Sequence, residues 1–261
     1  MKYPILIPNI FNHPFTYKSD IKLQTGDYVI IPFGKTNLVG VVWDKFEEDN
    51  SKKFRLKKIL KKLNVSPLKK STINFLNWFS QYNLIPKGMA LKLVLLSNNV
   101  VEKFSDEKYV DYLIKSKKNS FKLNLDQKRS LKLMNNLKEK FRVHVLQGAT
   151  GSGKTIVYFE TLKSIINKGF QGLILLPEIG LTGQFEQKFF DFFGFKPAVW
   201  HSGVSKKKKQ IIWSGVNEKK IKVIIGARSS LFLPFKNLGI IIVDEEHDQS
   251  YKQDEGVIYN A

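Results

Sequence analysis

The segment at residues 148–155 reads GATGSGKT and fits the phosphate-binding pattern GxxxxGK(S/T) at each fixed position. Its glycines let the backbone curl so that successive N–H groups point at phosphate oxygens. Lys154 supplies positive charge for the β- and γ-phosphates, and Thr155 supplies a hydroxyl ligand for Mg²⁺. We therefore predict that ATP and Mg²⁺ bind at eight consecutive residues: Gly148, Ala149, Thr150, Gly151, Ser152, Gly153, Lys154 and Thr155.

A second candidate for nucleotide chemistry is an acidic cluster about 90 residues further along the chain. Four apolar residues at 240–243 precede Asp244, Glu245 and Glu246, which is typical of a buried parallel strand that ends in carboxylates. Asp244 is predicted to hold the Mg²⁺ water shell, and Glu245 to polarise the attacking water. With Lys154 they form the predicted catalytic set. A solvated acidic turn is the alternative, but the phosphate loop upstream favours a Walker B element.

The charge balance indicates a polyanionic partner. The 261 residues include 43 lysines and arginines against 23 acidic residues, which gives a net charge of +20. Only four of the basic residues are arginine, and lysine is a point charge that suits phosphate better than the bidentate reading of bases. We therefore predict binding to a nucleic-acid backbone with little sequence preference. A lysine bias that serves only solubility stays open as the alternative.

Two further features of composition exclude whole classes of protein. No cysteine is present, which excludes disulfides, cysteine-ligated zinc, iron–sulfur clusters and thiol catalysis, so no zinc is expected within this chain. The longest apolar runs are far shorter than the roughly 20 residues of a membrane helix. The N-terminus has no secretory h-region. The sequence therefore predicts a cytoplasmic protein that does not bind membranes.

The elements that must position these residues begin with a β-rich segment. Short β-branched and aromatic runs at residues 3–10, 27–33 and 38–46 lie between turn signals. Runs of this length and spacing predict a small barrel or sheet over residues 1–66.

A helical pattern follows the β-rich segment. Five apolar and aromatic residues have helical spacing, namely Ile73, Leu76, Trp78, Phe79 and Tyr82. Ser71 is a candidate cap, and residues 85–88 are the expected end of the helix. Residues 98–120 are polar and charged, which is typical of a linker with room for one helix.

The second half of the chain alternates between apolar runs and helical segments, including a helix expected over residues 156–166. This alternation predicts a parallel, doubly wound sheet. Its strands are expected at residues 143–147, 172–176, 198–201, 222–226 and 239–244. The predicted fold class is therefore multidomain, with a small β-rich N-terminal domain at 1–66, a short helical segment and linker at 67–120, and an α/β P-loop lobe at 121–261.

Four further motifs lie in order along this lobe: residues 175–182 (LLPEIGLT), 201–203 (HSG), 226–232 (GARSSLF) and 244–256 (DEEHDQSYKQDEG). Together they resemble the primosomal replication-restart DNA helicases of bacteria, a group within superfamily 2. The resemblance implies a RecA-like helicase lobe and ATP-dependent 3′-to-5′ unwinding for primosome assembly at stalled forks. It also implies that Gln127 reads adenine and that four residues contact DNA, namely Arg228, Ser229, Tyr251 and Lys252.

The first 66 residues are similar to the domain of the same family that captures the 3′ end of a leading strand. Residues 14–17, 26–27, 31–35, 40–42 and 56–59 carry this similarity. It implies that five residues contact the DNA, namely Phe15, Thr16, Phe33, Gly34 and Lys57. Ordinary core packing is an equally good interpretation of Phe15. Residues 67–120 are too few for the family's complete winged helix, so a reduced form of it is expected.

Members of this family also have a second lobe, whose arginine completes the ATP site, and a cysteine-rich zinc module. The sequence through Ala261 contains neither. The first lobe would also lack a central strand, so we expect an incomplete lobe that does not hydrolyse ATP alone. The alternative function is a non-catalytic protein that binds DNA forks and 3′ ends, and an RNA-directed helicase is a third, weaker one. The implied partners are forked DNA and other primosome and replication-restart proteins, with single-stranded DNA-binding protein as a further candidate.

Overall fold

The computed structural model describes residues 1–45, 56–95, 106–113, 122–135, 141–149, 151–177, 183–253 and 256–261. Its N-terminal part is a five-stranded antiparallel sheet in the order β2-β1-β4-β3-β5. The strands are β1 (Lys2–Leu6), β2 (Phe15–Lys18), β3 (Tyr28–Phe33), β4 (Thr36–Val42) and β5 (Lys61–Lys62). The predicted β-rich domain is confirmed, although β2 was not among the predicted strands.

A tight hairpin sets the register of this sheet. Phe33 pairs with Thr36, so β3 and β4 are joined by only two residues, of which Gly34 has a φ of 59°. A two-residue hairpin needs a positive φ in its turn, and glycine adopts it without strain. The pairing buries Tyr28, Val29 and Ile31 completely.

Two helices follow, where a single one was predicted. The first, α1 (Lys70–Tyr82), buries Ile73, Leu76 and Phe79 as predicted. The predicted cap at Ser71 is wrong, because the helix begins one residue earlier, after Lys69, without a side-chain cap.

The second helix, α2 (Lys87–Leu95), begins where the sequence pattern indicated an end. Pro86 directly precedes it, and proline is compatible with a helix start as well as with a helix end. A Cβ on Gly88 would lie 2.3 Å from the Asn9 carbonyl oxygen, so the helix start packs directly on the N-terminal segment. Within the predicted linker, a 3₁₀ helix at Asp106–Tyr112 is described, and the rest of 98–120 lies outside the described residues.

The second half of the chain contains a four-stranded parallel sheet in the order β7-β8-β6-β9, which confirms the predicted strand direction. Its helices include one that begins at the phosphate loop and runs over the predicted residues 156–166. The elements in chain order are α3 (Leu125–Asn135), α4 (Lys154–Asn167), β6 (Gln171–Leu175), α5 (Gly183–Phe193), β7 (Ala198–Trp200), α6 (Lys206–Asn217), β8 (Val223–Gly226) and β9 (Leu238–Val243). A short antiparallel pair follows, formed by β10 (Lys252–Gln253) and β11 (Tyr259–Asn260).

Two predictions about this sheet are wrong. The segment at 143–147 forms no strand, and Val143 and Val145 are 77% and 91% exposed. The strand before the acidic cluster, β9, is not buried, since Ile241 and Val243 are 46% and 44% exposed. Both differences have one cause. β9 pairs with β6 on one side, and within the described residues no strand pairs with its other edge, so nothing covers its outer side chains or recruits 143–147 into the sheet.

The N-terminal sheet and the parallel lobe share a hydrophobic core. Trp213 of α6 lies edge-on to Tyr28 of β3, with ring centroids 5.7 Å apart, and its indole N–H donates to the Val94 carbonyl at 2.8 Å. The Asn217 amide donates to the Ser66 carbonyl at 3.1 Å. Because these contacts join segments far apart in the sequence, the two halves are packed as one body. No helix among the described residues is long and apolar enough to span a membrane.

Candidate nucleotide-binding site

The phosphate loop curls back onto itself ahead of α4. Gly151 and Gly153 have φ values of 81° and 83°, a region that side chains with a Cβ rarely adopt. The Lys154 ammonium donates to the Gly148 carbonyl at 2.5 Å and lies 3.4 Å from the Ala149 carbonyl oxygen. Thr150 lies outside the described residues. The loop therefore places a lysine ammonium and a helix N-terminus at one point, an arrangement that suits anionic phosphate.

Gln127 lies beside this loop. Its amide N–H donates to the Ser152 carbonyl at 3.0 Å. Its position is fixed by a reciprocal cap with Asn124, in which each backbone N–H donates to the side-chain oxygen of the other residue, at 3.0 and 2.8 Å. The positive φ of Gly153 favours glycine where the two meet, and a Cβ there would also displace the end of the Gln127 side chain, 2.4 Å away.

The loop helix and the acidic strand end meet at Tyr158. The Tyr158 hydroxyl donates to the Asp244 carboxylate at 2.9 Å. Burial, followed by the nearby Asp244 charge, raises the pKa of Tyr158, so the phenol keeps its proton at neutral pH. The helix that carries Thr155 in its first turn is therefore joined directly to the Asp244 carboxylate.

The acidic cluster itself faces solvent. Glu245 has a φ of 51°, and its backbone N–H donates to the other Asp244 carboxylate oxygen at 3.2 Å. The ring nitrogens of His247 lie 3.6 Å from the Glu245 carboxylate and 3.4 Å from that of Glu246. The Glu245 carboxylate is thus accessible to water beside Asp244.

The residues predicted to contact DNA near the lobe lie together but differ in exposure. The Arg228 guanidinium donates to the Lys252 carbonyl, and the Ser229 hydroxyl accepts from the Trp200 indole N–H at 3.2 Å. Tyr251 is only 3% exposed. Its hydroxyl lies 2.6 Å from the Asp244 carbonyl oxygen and 3.1 Å from that of Leu175, so its single proton is shared between them. The Tyr251 ring thus offers no open face, and this residue links the segment after the acidic cluster to the strand ends.

The residues predicted to bind a DNA end fall into two places. Phe15 and Phe33 meet in a half-buried ring cluster with Phe11, with centroids 5.5 Å apart, and Gly34 directly follows in the hairpin turn. Thr16 is the next residue of β2 and pairs with Pro4. Lys57 lies at the other end of β2, where its carbonyl accepts from the Lys18 N–H at 2.9 Å. The rings and the turn are brought together, and Lys57 is not.

Tyr158 is the residue of this site that the sequence reasoning missed. It lies three positions after Thr155 in α4, and residues three apart share one face of a helix. That spacing was the available signal, but a tyrosine in an apolar helix is equally compatible with core packing.

The donor set is compatible with Mg²⁺. Thr155 and Asp244 offer a hydroxyl and a carboxylate, the oxygen ligands that Mg²⁺ prefers while it keeps several waters and substrate phosphates. Among the described residues there is no group of three or more His, Cys, Asp or Glu side chains that could hold a metal without a substrate.

Fold and site together define a P-loop nucleotide-binding lobe attached to a β-rich domain. A family model for the PriA 3′ DNA-binding domain matches residues 4–96, and one described as the res subunit of type III restriction enzymes (ResIII) matches residues 120–260. The chain belongs to the replication restart (PriA) family, with a 3′ DNA-binding domain followed by a helicase-type ResIII domain.

Individual relatives agree with this assignment. The chain is 38% identical over 262 residues to the replication restart protein PriA of Rickettsia conorii, which covers 98% of this chain and 39% of that protein. It is 32% identical over 254 residues to that of Helicobacter pylori, covering 95% of this chain and 37% of the relative. It is 44% identical over 123 residues to the replication restart protein PriA of Bacillus subtilis, which covers 47% of this chain and 15% of that protein. The chain thus spans about 39% of the length of its Rickettsia relative.

Proposed function

We propose that this chain is the ATP-binding portion of a DNA helicase that acts with 3′-to-5′ polarity in primosome assembly at stalled forks. The main support is the Tyr158 hydroxyl, which donates from the helix that begins at the phosphate loop to the Asp244 carboxylate. A phosphate loop and an acidic strand end joined in this way are close enough to share one ion. The proposal includes a cytoplasmic location. Its partners are replication-restart proteins, with single-stranded DNA-binding protein as a further candidate.

In the proposed site, the loop amides and the Lys154 ammonium bind the phosphates of ATP. Thr155 and Asp244 would hold Mg²⁺, which neutralises charge on the phosphate oxygens. Glu245 polarises the attacking water, and Gln127 contacts the adenine. The acidic pair is preorganised for this role because both Asp244 carboxylate oxygens are already hydrogen-bonded.

The nucleotide part of the proposal is tested by Lys154→Ala, with Lys168→Ala at the other end of α4 as the matched control. Lys154→Ala should abolish binding of a fluorescent ATP analogue, because it removes the cation inside the phosphate loop, while DNA affinity stays unchanged. Lys168→Ala removes the same charge from an exposed site and should leave both affinities unchanged. Full nucleotide affinity in Lys154→Ala would refute the site, and equal loss of nucleotide and DNA binding would indicate misfolding instead.

We also propose that the N-terminal domain binds the 3′ end of DNA. The half-buried rings of Phe15 and Phe33 supply faces on which a terminal base can stack, and the open Gly34 turn leaves room beside them. Thr16 and Lys57 complete the proposed contacts. Arg228, Ser229 and Lys252 are proposed contacts of the lobe, with Tyr251 as their buried link to Asp244.

Forked DNA with a free 3′ leading end should bind more tightly than the same fork with that end blocked by a 3′-phosphate. Phe33→Ala should abolish this difference because it removes a stacking surface worth about 1–3 kcal/mol per base. Phe141→Ala, which removes a ring that is 93% exposed elsewhere, is the control and should preserve the difference. Equal affinity of the wild type for both forks would contradict end capture.

A second candidate function is a non-catalytic protein that binds forks and 3′ ends. It is favoured by one observation, namely that residues 143–147 lie outside the sheet while the outer edge of β9 has no partner among the described residues. On this view the RecA-like lobe at 121–261 is incomplete. It follows a DNA-binding domain at 1–66 and a reduced winged-helix region at 67–120. ATP turnover measured with and without forked DNA distinguishes the two functions, since only the helicase shows DNA-stimulated turnover.

A further inference from the structure

Tyr158 is the only tyrosine described in α4, and it points from the loop helix towards the acidic strand end. It is 5% exposed, so its hydroxyl is withdrawn from water and must find partners within the protein. Its hydrogen-bond partner there is the Asp244 carboxylate, at 2.9 Å. The proposed function assigns this carboxylate to Mg²⁺.

The direction of this hydrogen bond follows from the number of protons available. An ionised carboxylate can only accept, so the phenol proton of Tyr158 must be donated to Asp244. The Glu245 N–H donates to the other carboxylate oxygen at 3.2 Å, so groups of the protein hold both oxygens.

This hydrogen bond has a consequence for metal binding. Tyr158 fixes one oxygen of the Asp244 carboxylate and leaves the remaining lone pairs of that oxygen for an ion. Partners of this outer kind orient metal ligands, and their loss typically lowers metal affinity by 10- to 100-fold.

We infer that Tyr158 is a positioning residue for Mg²⁺, which orients Asp244 before the metal–nucleotide complex binds. The inference rests on the proposed function. It assigns to Tyr158 no contact with the metal, the nucleotide or the attacking water, because the residue acts through the Asp244 carboxylate. A tyrosine that served only packing would need its ring and not its hydroxyl.

The test is Tyr158→Phe, which keeps the ring and removes the hydroxyl. The control is Tyr109→Phe, which removes the hydroxyl of another fully buried tyrosine, one that donates to Ser214 at 3.1 Å away from the loop. Binding of fluorescent ADP is measured in EDTA and over a titration with Mg²⁺. Tyr158→Phe should leave the metal-free affinity within about twofold of wild type and raise the Mg²⁺ concentration for half-saturation by about tenfold or more. Tyr109→Phe should change neither.

A second comparison separates positioning from general loosening. In an Asp244→Asn background, in which ADP affinity should no longer respond to Mg²⁺, Tyr158→Phe should leave the ADP affinity unchanged both in EDTA and with Mg²⁺, since the ligand it orients is already altered. An unchanged half-saturation in Tyr158→Phe alone, or a shift equal to that of Tyr109→Phe, overturns the inference and leaves the proposed function intact. A wild-type protein whose ADP affinity does not respond to Mg²⁺ overturns both.

Discussion

At the scale of single residues, Asp244 is fixed on all sides before any ligand arrives. Its backbone N–H donates to the Leu175 carbonyl at 3.1 Å, and its own carbonyl accepts from Tyr251 at 2.6 Å. Its two carboxylate oxygens accept from Tyr158 and from the Glu245 N–H. A carboxylate held by its main chain and by both oxygens loses little freedom on binding a metal, which is the physical meaning of preorganisation here.

Another residue with a strict requirement is Gly26, which lies where β3 begins. Its φ is 92°, and a Cβ there would lie 2.1 Å from the Leu68 carbonyl oxygen. The backbone cannot move aside easily, because the Gly26 N–H donates to Val42 and its carbonyl accepts from Leu68, both at 2.8 Å. The glycine thus ties the N-terminal sheet to the segment that leads into α1.

Gly26→Ala should lower the free energy of unfolding by at least about 2 kcal/mol, since left-handed strain and a clash with backbone add together. Gly34→Ala, at a φ of 59° with nothing near the new Cβ, should show the strain alone, about 1 kcal/mol. Urea denaturation of the wild type and both variants measures the two losses in the free energy of unfolding. A Gly26→Ala protein as stable as Gly34→Ala would show that the contact with Leu68 is unimportant.

At the scale of elements, periodicity predicted the parts of the lobe that have a partner in the sheet or pack on it. Strands β6, β7, β8 and β9 and the helix after the loop occur within about two residues of the predicted positions, because their apolar runs pair or pack with neighbouring elements. The run at 143–147 also contains apolar residues and forms no strand. The composition of a segment indicates that its side chains prefer to be buried. Whether a neighbouring element lies against the segment and buries it depends on the tertiary structure.

The local sequence also did not predict the contacts between elements. The start of α2 depends on its approach to Asn9, and the buried position of Tyr251 depends on contacts with Leu175 and Asp244. For the site, the motifs predicted the loop and the carboxylates, whereas Tyr158 became visible only once α4 and β9 were placed side by side.

The exposed face of β9 makes a prediction about stability. Ile241 and Val243 lie two residues apart and therefore on one face of the strand, each nearly half exposed. The double substitution Ile241→Thr/Val243→Thr should change the free energy of unfolding, measured by urea denaturation, by about 1 kcal/mol at most.

The matched control for this face is Ile224→Thr on β8, whose side chain is fully buried. It should cost more than about 2 kcal/mol, because it removes packing and buries a hydroxyl. A double variant that loses as much stability as Ile224→Thr would show that this face of β9 is buried in solution.

At the scale of the whole molecule, a lysine-rich surface surrounds one continuous body. The net charge of +20 attracts a nucleic-acid backbone, and the core shared by the β-rich domain and the lobe keeps their proposed DNA contacts in a fixed relation. The single hydroxyl of Tyr251 connects the segment that carries Lys252 to the backbone of Asp244. A change in DNA contact at that segment would therefore act on Asp244, at the proposed metal site, through a single hydrogen bond.

The account depends on one nucleotide-bound Mg²⁺ being shared by the phosphate loop and Asp244. The direct measurement compares the affinity for fluorescent ADP in EDTA and at saturating Mg²⁺, for the wild type and for Asp244→Asn. The wild type should bind more tightly with Mg²⁺, and Asp244→Asn should bind equally with and without it, at the metal-free affinity of the wild type. A full Mg²⁺ enhancement in Asp244→Asn would contradict the shared site.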